Sequence, residues 1–167
     1  MSFEVVPAGV RELAEGDPET VARQNAARKA RAVAAGASPD ALVLGADTIV
    51  ALGERILDKP ATGERAREWL ELLSGRTHRV VGALCLVHGE AEREAVAVTE
   101  VEFRTLDDAA VEWYLASGEW RDRAGGYAIQ GRGAALVTAI AGDYLNVVGL
   151  PVAALVDLWP GVLKLGR

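Results

Sequence analysis

Apolar residues fall along this chain in two textures: short dense runs bounded by glycine, proline or charge, and stretches where they recur every three or four positions. The first texture predicts strands and the second helices. Ser2 to Val6 reads as a strand ended by Pro7-Ala8-Gly9, which leaves Glu12 in a loop. A helix is predicted over about 18–35, where Asp17 can cap, Pro18 suits the first position, Glu19 favours the positive end and Gly36 closes the run. Leu42 to Ala46 and Ile49 to Leu52 read as one strand buried on both faces and interrupted by Asp47-Thr48. Gly53-Glu54 turns the chain, Arg55-Ile56-Leu57 returns, and Lys59-Pro60 ends the hairpin because proline cannot donate to a ladder. Thr62 can cap a helix over about 63–74 with Ala66, Trp69, Leu70 and Leu73 as its apolar stripe. Val80 to Val87, a turn at His88-Gly89-Glu90 and a return at about 92–104 predict a second hairpin. Leu106-Asp107-Asp108 then opens a helix that turns Val111, Tyr114 and Leu115 inward. A strand at Ala134 to Ile140, an extended piece from Tyr144 to Gly149 and a last helix at about 151–158 complete the pattern.

Two features stand out from it. A carboxylate in mid-strand is rarely buried unless it is paired or bound to a metal, so Asp47, with Lys59 returning towards it, marks either a structural ion pair or a site for an anion and its cation. On the first helix Val21, Asn25, Lys29 and Val33 recur every four residues, which sets a lysine and an amide on a partly apolar face. That lysine either snorkels from a packed face or points at a bound anion. A glycine-flanked stretch, Arg123 to Gly133, offers close backbone approach to a ligand, and its Gln130 carries the donors and acceptors that can read a base edge or satisfy a turn. Neither nucleotide-loop fingerprint is present.

With 167 residues the chain suits a single domain over 1–167, and no apolar run approaches the roughly 20 residues that span a bilayer. A soluble, cytoplasmic protein without a signal peptide is expected. The net charge of −6 argues against a nucleic-acid polymer as partner. Cys85, the lone cysteine, reads as a small buried hydrophobe, and neither His78 nor His88 has partners at ligand spacing.

Taken together, GADTIV, ILDKP, LSGRTHRVVGALCL, VEFRTLDDAAVEWYLASGEWRDRAGGYAIQGRG and GDYLNVVGLPVAAL resemble the Maf family of nucleoside triphosphate pyrophosphatases over nearly the whole chain. The resemblance implies an α/β fold with a mixed sheet, elongated and two-lobed around a central cleft, like that of the inosine triphosphate pyrophosphatases. It implies cleavage of a nucleoside triphosphate to the monophosphate and pyrophosphate with Mg²⁺ or Mn²⁺, and frequent homodimers. By resemblance Asp47 is the proton acceptor and Lys29 and Lys59 serve the phosphates. Glu12 matches an acidic position, although Arg11 stands where an acid usually precedes it, and Asp47 with Glu12 is the implied metal site. Thr48 and Gln130 match the branch acting on dTTP and UTP, and modified pyrimidine nucleotides remain a further reading. Family members begin with a strand and a Ser-rich loop of the form S-x-S-P-R-R, whereas this sequence starts at SFEVVP. The loop is therefore expected to be missing, through a late start codon, a shortened chain or a natural variant. The alternative function is a non-catalytic nucleotide-binding regulator of septum formation.

Overall fold

The computed structural model describes residues 3–164. Five strands form one open sheet in the order β2-β1-β3-β4-β5, with β1 at Leu42–Leu52, β2 at Arg55–Leu57, β3 at Thr77–His88, β4 at Ala91–Phe103 and β5 at Val137–Ala141. The sheet, expected to be mixed, is antiparallel at all four pairings: hairpins join β1 to β2 and β3 to β4, while longer connections through helices join β1 to β3 and β4 to β5. Helices α1 (Pro18–Ala34), α2 (Gly63–Leu73), α3 (Asp108–Leu115), α4 (Tyr144–Val148) and α5 (Val152–Leu158) cover it, so the α/β class stands.

Successive residues of a strand face opposite sides of a sheet, and here each side has its own core. Ile49, Val81, Ala83 and Cys85 pack under α1, while Val50, Val80, Val101 and Phe103 pack under α2 and α3. The α1 contact uses small residues, since Ala22, Ala26 and Ala30 are fully buried. Gly45 makes it close: a Cβ there would collide with the Ala26 carbonyl and come within 2.7 Å of the Ala30 nitrogen. α1 therefore lies almost against the β1 backbone, and that brings its polar side chains to Asp47.

The caps behave as read. Asp17 accepts from the Thr20 amide at 3.0 Å, Thr62 from Arg65 at 3.2 Å and Asp107 from Ala110 at 2.8 Å. The predicted stripe of α2 is buried at each of its four positions.

Three expectations change. Residues 3–6 form no strand; Phe3, Val5 and Val6 are exposed, and an apolar run without a partner strand has no ladder to join. Ser2, the first residue of that expected strand, lies outside the described residues. The strand expected at Ala134 to Ile140 begins only at Val137, because Arg132–Leu136 winds into a 3₁₀ turn. Tyr144 to Gly149, expected extended, is helical up to Val148. Asp143 caps α4 through the Leu145 amide at 2.8 Å, and buried Asn146 fastens it to the sheet through the Val80 carbonyl at 3.0 Å, the Ala97 carbonyl at 3.2 Å and the Thr99 hydroxyl at 3.0 Å.

Candidate active site

β2 pairs with β1 only as far as Val50↔Leu57, so on that edge Asp47 and Thr48 have no strand partner. A cleft opens there as two connected chambers of about 240 and 250 Å³ that share Asp47, Thr48, Lys59 and Ala124. The first is closed by α4 and the turn after Trp120, the second by α1 and the loop through Leu13.

Asp47 is buried, with 8% of its surface exposed. One carboxylate oxygen, Oδ1, accepts from Lys29 Nζ at 2.6 Å and the other, Oδ2, from Asn25 Nδ2 at 3.1 Å. Lys29 and Asn25 are one helical turn apart on α1, and the Gly45 contact holds that face against β1. Lys29 Nζ also lies 2.6 Å from Glu12 Oε1 and donates to the Ala46 carbonyl at 3.4 Å, which accounts for its three protons. Burial would lower the Lys29 pKa, but its hydrogen bonds to Asp47 and Glu12 and then their charges outweigh this and raise it above its ordinary value. Burial likewise opposes charge on Glu12, yet the Lys29 hydrogen bond and the charges of Lys29 and Lys59 hold its carboxyl below the ordinary range. The centre is thus one ammonium clamped by two carboxylates.

Asn25 also ties down the loop that carries Glu12, accepting from the Leu13 amide at 2.8 Å and donating to the Leu13 carbonyl at 3.0 Å. Lys59 is exposed and lines both chambers. Its loop is anchored by Trp69 of α2, whose indole Nε1 lies 3.1 Å from both the Asp58 carbonyl and the Asp58 carboxylate. Thr48 donates to the Gly149 carbonyl at 3.4 Å, which links the open edge of β1 to the end of α4.

The structure therefore brings together Glu12, Lys29, Asp47, Thr48 and Lys59. Gln130 is exposed and lines neither chamber. The sequence flagged Asn25 only as an amide on a helix face, Trp69 only as part of an apolar stripe, and Arg123 and Tyr127 only as members of the glycine-flanked stretch. His78 is buried, 2.9 Å from the Tyr127 hydroxyl, and burial pushes its pKa down to about 4. Cys85 is buried with its thiol pushed up to about 12, first by burial, so it is neither nucleophile nor thiolate ligand at neutral pH.

Asp47 and Glu12 suit a hard divalent cation, since two carboxylate oxygens already converge on one cationic atom and a phosphate ligand would supply further oxygens. Among the described residues the one group of three donors at metal spacing, Cys85, Glu92 and Glu94, belongs to β3 and β4 and not to the cleft.

Fold and site together define an α/β protein with an open antiparallel sheet, whose cleft sets a buried, lysine-clamped carboxylate among further cations. A family profile described as Maf-like protein matches residues 1–160. The dTTP/UTP pyrophosphatase of Pyrococcus furiosus is 45% identical over 160 residues, covering 93% of this chain and 84% of that one. Its namesake from Deinococcus radiodurans is 45% identical over 160 residues, covering 95% and 82%. That of Symbiobacterium thermophilum is 46% identical over 141 residues, covering 84% and 72%. The chain belongs to the Maf-like protein family.

Proposed function

We propose that this chain is a nucleoside triphosphate pyrophosphatase that hydrolyses dTTP and UTP to the monophosphate and pyrophosphate. The observation that carries the reading is the Asp47–Lys29–Glu12 cluster at the open edge of β1, in a chain whose relatives bear that name over most of their length.

In this reading water attacks the α-phosphorus, the new P–O bond forms as the α–β bridging bond breaks, and pyrophosphate leaves with the electron pair. Asp47 takes the proton from water, and Asn25 and Lys29 fix the carboxylate in place. Charge grows on the phosphate oxygens in this step, and Lys59 together with Lys29 stabilises it. Asp47 and Glu12 are the residues that would hold Mg²⁺ or Mn²⁺, which when bound offsets phosphate charge and lowers the pKa of a water. Thr48 supports the sugar or base. Gln130 is assigned to base reading by resemblance, and Gln130→Ala tests that role through the dTTP to GTP ratio.

A cytoplasmic location fits a nucleotide substrate, and among the described residues no helix is long and apolar enough to cross a membrane. Sedimentation tests the expected homodimer. The function itself is tested by pyrophosphate release from dTTP, UTP, CTP and GTP with Mg²⁺ or Mn²⁺, beside Asp47→Asn. Rapid Asp47-dependent release from dTTP and UTP is expected. Nucleotide binding without release would support the regulator instead.

A further inference from the structure

The two chambers differ in charge. The first carries Lys29, Lys59 and Arg123 against Asp47 and Asp122, whereas in the second only Lys59 stands against Glu12, Asp47 and Asp58, among mainly apolar side chains. A polyphosphate belongs in the first. Of its three cations, Lys29 is already engaged by Asp47 and Glu12, while Lys59 and Arg123 make no ion pair among the described residues.

Arg123 sits on a turn that is held from several sides. Asp122 before it has a positive φ, at 59°, in the left-handed region where aspartate is among the side chains most often found. Gly125 follows at φ 66°, so close to Val50 that a Cβ would lie 2.7 Å from a methyl group. Its amide donates to the Asp58 carbonyl at 3.2 Å, which joins the turn to the loop bearing Lys59. Beyond it, the Ala128 amide donates to the Tyr114 hydroxyl at 2.9 Å, and the Tyr127 hydroxyl lies 2.9 Å from His78 Nε2. The two unpaired cations therefore stand on backbones that are bonded to each other.

We propose that Arg123, together with Lys59, binds the terminal phosphates of the nucleoside triphosphate, the part that departs as pyrophosphate, while Asp47 and Lys29 act at the α-phosphorus. This rests on the pyrophosphatase reading above. A guanidinium suits the role because its planar fork engages two phosphate oxygens at once, which an ammonium cannot do.

The test is calorimetric binding of inorganic pyrophosphate and of dTMP, without divalent metal, to the wild-type chain, Arg123→Gln and Arg123→Lys. Arg123→Gln is expected to weaken pyrophosphate about tenfold, with Arg123→Lys in between and dTMP affinity unchanged in both. Unaltered pyrophosphate affinity in Arg123→Gln overturns the proposal. So does equal weakening of both ligands, which would report a loosened turn, or no binding of pyrophosphate by the wild-type chain. None of these readouts requires turnover. Failure of the wild-type chain to cleave dTTP would therefore defeat the proposed activity, while the pyrophosphate affinities still decide the role of Arg123.

Discussion

Asn25 and Asp47 are joined by a hydrogen bond of 3.1 Å from amide to carboxylate, and the same amide side chain holds the Leu13 backbone at both its nitrogen and its oxygen. One buried residue thus fixes the proposed proton acceptor and the loop carrying Glu12. Asn25→Ala leaves these groups without partners, and should lower stability by about 1–3 kcal/mol in urea unfolding. Asn25→Asp keeps the shape but sets a second carboxylate against Asp47, and should cost more activity than the alanine variant.

Asp47→Asn preserves size and the capacity to accept from Lys29 but removes the base. The expected result is a fall in kcat of about 10²–10⁴-fold with an unchanged circular dichroism spectrum. Near wild-type turnover by a folded variant would sink the proposed role.

Lys29→Met leaves the buried Asp47 carboxylate without its cation. Because the Lys29 side chain is 22% exposed, the loss should be about 2–3 kcal/mol, below the 3–5 kcal/mol typical when a fully buried pair is broken. Added Mn²⁺ should restore part of the melting temperature if Asp47 and Glu12 hold the metal. A variant as stable as wild type, indifferent to Mn²⁺, would argue against both statements.

His78 is held neutral by burial beside Phe103 and Tyr127. Its folded pKa of about 4 lies below the ordinary 6.5, so the unfolded chain takes up the proton first as pH falls. Stability from this group is therefore complete above about pH 6.5 and declines towards pH 4, by about 2 kcal/mol between pH 7 and pH 5. Urea midpoints at the two pH values should show that loss, and His78→Phe should reduce it.

Gly45→Ala forces a methyl group into the backbone of α1. Relief requires α1 to move off β1, so stability should fall by about 1–3 kcal/mol. The same movement carries Asn25 and Lys29 away from Asp47. Activity should fall more than the loss of folded protein explains, whereas Gly53→Ala, at an exposed turn, should lower stability through its positive φ and spare kcat.

Much of this was legible in the chain itself because it depends on neighbours in sequence. The caps at Asp17, Thr62 and Asp107 act within three residues, the α2 stripe follows from helical period, and the short hairpin that returns Lys59 to the Asp47 edge is read from Gly53-Glu54. Asp47 was visible as a charge out of place. What could not be read depends on packing between distant elements. Tyr144 to Val148 has an extended composition, yet the hydrogen bonds of Asn146 to Val80 on β3 and to Ala97 and Thr99 on β4 decide for a helix. Lys29 was read as a snorkelling lysine or a phosphate cation, and no spacing rule shows that two carboxylates, from positions 12 and 47, already share it. Trp69 looked like plain core, and only its indole nitrogen, facing Asp58, ties it to Lys59.

The interlock between Thr48 and Gly149 also bears on the order in which the molecule assembles. Their hydrogen bond spans 101 residues of chain, whereas Lys29 and Asp47 are separated by only 18. Loop-closure entropy favours the shorter link, and contacts of long sequence separation tend to form late. During folding the acid–lysine cluster can therefore gather once β1 and β3 support α1, while the α4 wall still swings free. Nucleotide present at that stage would meet half a binding surface, and tight binding should appear as a late kinetic event, after most of the secondary structure is in place.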